Sequence, residues 1–179
     1  MKYKIIGDSC LDLTAEMKKD PHYQMIPLTL MVGDRTFIDD ETFDQKEFLR
    51  RVKESPNCPK STCPSPERYM TAFEGEAQNV YAVTLSSRLS GSYNSARLGQ
   101  QLFEEKHPDR KVHVFNSRSA SIGQTLVAMK AEEYELAGCS FEERNSLWTV
   151  WIRISCWRVW RRCARTDACP VSRLLWHLR

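Results

Sequence analysis

Hydroxyl side chains are concentrated in two short segments of this chain. Ser61, Thr62 and Ser65 lie within five residues, and Ser86, Ser87, Ser90 and Ser92 within seven. Hydroxyls and backbone amides ahead of a helix N-terminus bind anions, aided by the helix dipole. Each hydrogen bond to a charged group contributes about 1.5–3 kcal/mol. This grouping suits holding an anionic ligand. Ser and Thr also cap helices and close turns, so any single serine is better read in that plainer role. The weight lies in the cluster.

Covalent catalysis is the competing chemistry. Ser90 or Cys10 would be the nucleophile and Asp8 the acid, in an α/β enzyme acting on an anionic substrate. Such a nucleophile needs a base within hydrogen-bond reach, and neither His22, His107 nor His113 falls in a hydroxyl-rich loop. There is no GxSxG elbow and no GxxxxGK[ST] phosphate loop. Asp8-Ser9-Cys10 alone is a weak signal, and Cys10 reads as a small buried residue. Cys58 and Cys63 are not a CxxC pair and the four histidines are scattered, so no metal site is expected. No catalytic residue and no cofactor is assigned.

The elements that would position these loops alternate. Residues 3–7 read as a short strand ending at Gly7-Asp8-Ser9. Thr14 can cap a short helix with Met17 inward. Residues 25–32 form an apolar run interrupted by Pro27; Gly33-Asp34 is a turn signal and Thr36-Phe37-Ile38 a returning hairpin strand. Asp44 caps the next helix, with Phe48, Leu49 and Val52 at helical spacing. Residues 59–66 read as a loop. Ser65-Pro66 then opens a helix, Ser at N-cap and Pro at N1, with Tyr69, Met70 and Phe73 inward.

Residues 80–85 are continuously apolar but for Thr84, as a parallel strand buried on both faces would be. A helix follows to about Glu105, then a strand at 112–115 and a long helix from about Ser119 to Gly138. Ser140-Phe141-Glu142-Glu143 has the capping-box pattern of a further helix. The order predicts an α/β fold: a mostly parallel sheet with flanking helices. Ligands of such sheets bind beyond the strands' carboxyl ends. There lie Asp8-Ser9, residues 86–92 and residues 116–119, with residues 60–65 immediately ahead of a helix.

Composition divides the chain. All five tryptophans follow residue 147, and residues 145–179 hold seven arginines, three cysteines, no lysine and a single acid, Asp167. That stretch carries +6 while residues 1–144 carry −3, so the net +3 says little about the folded part. No recognisable nucleic-acid-binding module with a basic face is present, so nucleic acid is not an expected partner. No apolar stretch is long enough to span a bilayer, although the Trp/Arg tail has the composition of a membrane-interface segment. Met1-Lys2-Tyr3-Lys4 leads straight into a strand without a signal peptide. Seven cysteines at irregular spacing argue against a disulfide framework. A cytoplasmic protein with reduced thiols is expected.

Five blocks, in order, resemble the DegV family. Gly7-Asp8-Ser9-Cys10-Leu11-Asp12-Leu13 is similar to its opening strand and loop. Ile26-Pro27-Leu28-Thr29 with Gly33-Asp34 resembles its second strand and hairpin. Lys60-Ser61-Thr62-Cys63-Pro64-Ser65-Pro66 resembles its Thr/Ser loop, where glutamine is more usual than Cys63. Leu85-Ser86-Ser87-Arg88-Leu89-Ser90-Gly91-Ser92-Tyr93-Asn94-Ser95-Ala96 resembles its most distinctive block, and Asn116-Ser117-Arg118-Ser119-Ala120-Ser121 another, usually opened by Asp. The resemblance covers residues 2–143, about half of a usual member.

It implies a non-enzymatic, bacterial-type carrier that holds one long-chain fatty acid between two α/β lobes and presents its carboxyl group to a separate fatty acid kinase subunit. Matched residue by residue, Thr62 and Ser90 would hold the carboxylate, with Ser61 a near alternative. Asp8, Ser9, Ser87, Gly91, Ser92 and Ser117 are the candidate pocket. Burying a methylene yields about 0.8 kcal/mol, so about fourteen of them bound the chain's contribution near 11 kcal/mol. Hydrogen bonds to the carboxylate mainly replace water and orient the acid.

Residues 1–143 are thus expected to be a DegV-like lobe, with the second lobe missing and residues 144–179 an out-of-frame tail. The family continues with a stretch like Leu-Arg-Lys-Gly/Asn-Gly-Arg-Leu-Ser, which residues 144–179 do not contain. Trp has a single codon, which constrains the underlying bases. With the first two bases of each codon dropped, permitted codons from Trp160 through Arg173 spell Glu-Thr-Leu-Arg-Lys-Asn-Gly-Arg-Leu-Ser-Arg-Leu-Lys, which contains that stretch. A frameshift near residue 144 is therefore expected, with a poorly packed tail broken by Pro170 and weak or no lipid binding by the truncated form.

Overall fold

The computed structural model describes residues 2–139 and Glu143. The helix expected from Ser140 and the tail of residues 144–179 lie outside the described residues. Contacts divide the chain at Gly138, so residues 2–138 are described as one unit.

Four parallel strands form the main sheet in the order β2-β1-β6-β7: β1 (Tyr3–Asp8), β2 (Tyr23–Ile26), β6 (Asn79–Thr84) and β7 (Lys111–Asn116). β6 is central and its residues 80–84 are all buried, as a strand covered on both faces requires. Side chains alternate between faces. Ile6, Val80, Ala82, Val112 and Val114 meet α2 (Pro66–Phe73) and α3 (Ser92–Lys106) through Tyr69, Ala72, Phe73, Ala96 and Phe103. The other face carries α4 (Ile122–Leu136). There the Tyr3 and Tyr23 hydroxyls donate to the Glu132 carboxylate at 2.8 and 2.9 Å, and Tyr81 donates to buried Glu135 at 2.7 Å.

A second, antiparallel sheet was not expected. It has the order β4-β3-β5, with β3 (Thr29–Val32), β4 (Arg35–Ile38) and β5 (Lys60–Thr62). Two corrections follow. Pro27 does not interrupt one strand; it separates β2 from β3, which belong to different sheets. Residues 60–62 are a strand rather than loop, because β3 offers them a partner distant in sequence, pairing Thr29 with Thr62 and Leu30 with Ser61. Gly33, at φ +61, makes the β3–β4 turn that a side chain would strain.

The expected caps are present. Asp44 accepts from the Glu47 amide at 3.0 Å to start α1 (Gln45–Glu54), and Ser65 accepts from Arg68 at 3.4 Å with Pro66 at N1. Thr14 accepts from the Met17 amide at 3.2 Å ahead of a single 3₁₀ turn. α1 buries no residue fully; Phe48 packs instead in an aromatic group with Phe37 and Phe43 against the small sheet. No helix among the described residues is long and apolar enough to cross a membrane.

Candidate functional site

Parallel pairing places the carboxyl ends of β1, β6 and β7 side by side, so the loops after them form one surface. Backbone and side-chain bonds lock these loops together. The Leu85 amide donates to Asp8 Oδ2 at 2.8 Å, and the Ser86 amide to the Ser119 carbonyl at 2.9 Å. The Ser87 amide donates to Asn116 Oδ1 at 3.2 Å, and Asn116 Nδ2 returns a bond to Ser87 Oγ at 2.7 Å. Ser117 is buried; its amide reaches the Thr84 carbonyl and its hydroxyl the Ser119 carbonyl. Arg118 and Ser121 take positive φ of 52° and 56°, a strained backbone for residues with side chains.

Ser90 and Ser92 stand at the N-terminus of α3. Their hydroxyl oxygens are 3.0 Å apart, and the Ser92 amide donates to Ser90 Oγ at 3.2 Å. Ser90 is partly accessible and Gly91 exposed, whereas Ser92 is wholly buried. Across from them runs the end of β5. Cys63 Sγ lies 3.6 Å from Ser95 Oγ, and a Cβ built on Gly91 would stand 3.1 Å from that sulfur. The chain after Thr62 therefore passes directly against the start of α3, which brings the two hydroxyl segments together. Ser61 and Thr62 are both exposed, and adjacent strand residues project to opposite faces.

Asp8 does not line this surface. It is wholly buried beneath it, where Gln124 Nε2 donates to Oδ1 at 3.0 Å. Burial raises its carboxyl above the usual carboxylate range, opposed by hydrogen bonds from Gln124, the Leu85 amide, Ser92 and the Cys10 amide. Gln124 carried no signal in the sequence; it sits on the sheet-facing side of a helix with little amphipathic contrast. Ser9 points elsewhere: its hydroxyl donates to Asp39 Oδ2 at 2.6 Å and accepts from the Leu28 amide at 3.0 Å. Ser121 bonds Asp12, and Thr125 donates to the Asp12 carbonyl at 2.8 Å.

Among the described residues, no histidine stands beside Ser90 or Cys10. His22 pairs with Asp20 ahead of β2, His107 ends α3, and His113 lies within β7, so none stands at the carboxyl ends of the strands. Ser90's hydroxyl partner is another serine. Burial and the charges of Asp8, Asp39 and Asp12 push the Cys10 thiol up to about 11, away from thiolate chemistry. Among the described residues no group of three His, Cys, Asp or Glu could hold a metal ion. What the site offers is hydroxyl groups and a helix N-terminus, a setting for an anion.

Known proteins share this architecture. Residues 2–147 match the model of a family described as uncharacterised proteins, DegV family. A DegV domain-containing protein of Streptococcus pneumoniae is 39% identical over 145 residues, covering 80% of this chain and 51% of the relative. The chain thus spans about half the length of the curated relatives it matches. Among solved structures, a DegV-family protein of Ruminococcus gnavus with vaccenic acid superposes with a TM-score of 0.81 at 47% identity, covering 85% of this chain and 55% of that one. The Fatty Acid Kinase (Fak) B3 protein of S. pneumoniae, loaded with linoleic acid, gives 0.73 at 36% identity, covering 86% and 55%. The five sequence blocks, the strand order and the family match agree, and the chain belongs to the DegV family.

Proposed function

We propose that this chain binds a long-chain fatty acid by its carboxylate, through the hydroxyls of Ser90 and of Thr62 or Ser61, for presentation to a fatty acid kinase subunit. One observation carries the reading: Cys63, beside Thr62, packs against Gly91, beside Ser90, so both hydroxyl segments border the N-terminus of a 15-residue helix. The dipole of that helix favours the anionic end of a ligand. The likeness to proteins described with vaccenic and linoleic acid supports the choice of ligand. Ser87, Gly91 and Ser92 complete the rim and floor of the site, with buried Asp8 and Ser117 beneath it, while Ser9 is engaged by Asp39 and Leu28 instead. We place the protein in the cytoplasm, where its free thiols Cys10, Cys58, Cys63 and Cys139 persist.

Decanoate, a soluble probe with the same headgroup, tests the reading by amide NMR. It should shift the signals of Thr62, Ser90, Gly91 and Ser92, and decanol, which lacks the charge, should not. Equal shifts from both, or shifts confined to other residues, would overturn the carboxylate assignment. Ser90→Ala should weaken the response roughly tenfold or more, the loss of one bond to a charged group.

A further inference from the structure

Arg88 lies in the loop after β6, two residues before Ser90, and Arg118 in the loop after β7. They are the charged residues of segments 86–92 and 116–121, and both are exposed. Neither guanidinium has a hydrogen bond or ion pair among the described residues. Other arginines of the lobe are engaged: Arg50 and Arg51 bind Glu47, Arg97 binds Gln100, and Arg110 holds the Phe73 and Ala77 carbonyls. Arg35 and Arg68 are also unpaired among the described residues, but they lie outside these two loops.

One side chain fixes the backbone at both places. Asn116 Oδ1 accepts from the Ser87 amide and from the Arg118 amide, each at 3.2 Å, while Asn116 Nδ2 donates to Ser87 Oγ at 2.7 Å. The Arg88 amide donates to Ser86 Oγ at 3.3 Å. The loop that carries Ser90 and the loop that carries Arg118 are thus held in register. Arg118 takes φ 52°, a conformation that glycine or asparagine adopts at lower cost. An exposed arginine there neither packs nor caps; what it adds is a guanidinium. Leu89, beside Arg88, is 71% exposed, and Ile122, at the start of α4, is 59% exposed. Arginine is enriched where proteins meet.

Resting on the fatty-acid reading above, we propose that Arg88 and Arg118 receive the phosphate chain of the nucleoside triphosphate that a fatty acid kinase brings to the carboxylate. In that transfer a carboxylate oxygen bonds to the terminal phosphorus, the bond from that phosphorus to the nucleoside diphosphate breaks, and no proton moves. Both reactants are anions and repel. The hydroxyls at the carboxylate supply hydrogen bonds but no charge. Two fixed guanidinium groups at the rim offset the repulsion, because their planar donor forks suit phosphate oxygens and phosphoryl transfer depends on such charge stabilisation.

An anionic membrane is the rival occupant. Recognition of a lipid surface uses clusters of about four to eight cations, and these loops hold a single pair. Inorganic tripolyphosphate is therefore the first probe and phosphatidylglycerol vesicles the second, both read by NMR through the arginine Nε–H signals. Tripolyphosphate should shift Arg88 and Arg118 with one shared midpoint, well below that of Arg35 and Arg68, which report non-specific attraction. Vesicles should shift the pair no more than those two controls. Selective shifts from vesicles and none from tripolyphosphate would make the rim a lipid surface and overturn the proposal.

Substitutions test whether the pair acts together. Arg88→Gln should weaken the tripolyphosphate midpoint read at Arg118 roughly tenfold or more, the loss of one charged hydrogen bond, and Arg118→Asn should do the same at Arg88. Asparagine tolerates the left-handed backbone, so Arg118→Asn should not lower the melting temperature, which separates lost binding from lost structure. Different midpoints at the two arginines, equal midpoints at Arg35 and Arg68, or no effect of one substitution on the other arginine would overturn the inference. Tripolyphosphate bound by the pair while decanoate shifts nothing would sink the fatty-acid reading and leave the phosphate site standing. Decanoate shifts at Thr62 and Ser90 with tripolyphosphate spread over all exposed cations would do the reverse.

Discussion

Ser9 and Asp39 are joined by a 2.6 Å bond from hydroxyl to carboxylate that ties the end of β1 to the loop after β4. The same hydroxyl accepts from the Leu28 amide at 3.0 Å, and the Leu28 carbonyl in turn accepts from the Asp39 amide at 2.9 Å. Leu28 is the residue through which the chain passes from one sheet to the other. This closed circuit therefore fixes the small sheet, with Thr62 on its edge, against the parallel one. Ser9→Ala removes one acceptor and one donor from it. The expected cost is about 1–3 kcal/mol, with faster hydrogen exchange at Leu28 than at core amides such as Ala82. Unchanged exchange at Leu28 would show that the circuit does not hold the sheets.

The close passage of α2 and α3 rests on Gly99. A Cβ there would lie 2.7 Å from the Pro66 carbonyl oxygen and 3.0 Å from Tyr69 Cβ, so backbone would have to move. Alanine is intrinsically the better helix former by about 1 kcal/mol, and a residue free of neighbours would gain that much. Overpacking costs about 1–3 kcal/mol and is the larger effect here. Gly99→Ala is expected to lower the urea midpoint without changing the m-value. A raised midpoint would mean that α2 yields easily.

The parts that were legible in the sequence are those whose burial leaves a local trace. β6 is apolar because helices cover both its faces, and the loops after β1, β6 and β7 are rich in hydroxyls because they cap and cross-link one another. β5 left no trace: Lys60, Ser61 and Thr62 are all exposed, and their strand geometry comes from β3, not from their own pattern. α4 inverts the usual code. Gln124, Thr125 and Glu135 are buried while Ile122, Met129 and Leu136 are exposed. Its polar residues are wanted inside as partners for Asp8, the Asp12 carbonyl and Tyr81, which only the fold reveals.

His113 sets a pH response of opposite sign to that of Asp8. Burial, with a lesser push from Arg97, lowers it from 6.5 to about 4, so it is neutral in the folded protein at neutral pH. The unfolded chain binds the extra proton first as pH falls through 6.5. Stability from this group is complete above 6.5 and is lost progressively down to about 4, an amount on the order of 3 kcal/mol at most. Asp8, raised by burial, instead weakens the fold as pH rises through its midpoint. Melting is compared at pH 7 and pH 5 in the parent and in a variant without the histidine. His113→Phe should narrow the gap between the two temperatures, and an unaltered gap would assign the acid sensitivity to other groups.

The reading frame of residues 144–179 is open to a direct test. The family match ends at residue 147, and the aligned region of the S. pneumoniae relative spans 145 residues of a protein about twice that length. The tryptophans begin at Trp148, so likeness to relatives stops where composition changes. A domain fused by selection would bring a composition of its own with its own buried pattern. A shifted frame instead converts one coding pattern into another, and its Trp codons preserve the bases of the original. Those bases permit a DegV-like continuation, Leu-Arg-Lys-Asn-Gly-Arg-Leu-Ser, across a run that now reads from Arg162 to Pro170. Sequencing the DNA over this segment should show that the alternative frame spells it, with one or two bases gained or lost near codon 144. Bases that spell any other sequence in that frame would make the tryptophan-rich segment a product of this gene in its own right. Its chemistry would then have to be explained from those residues alone.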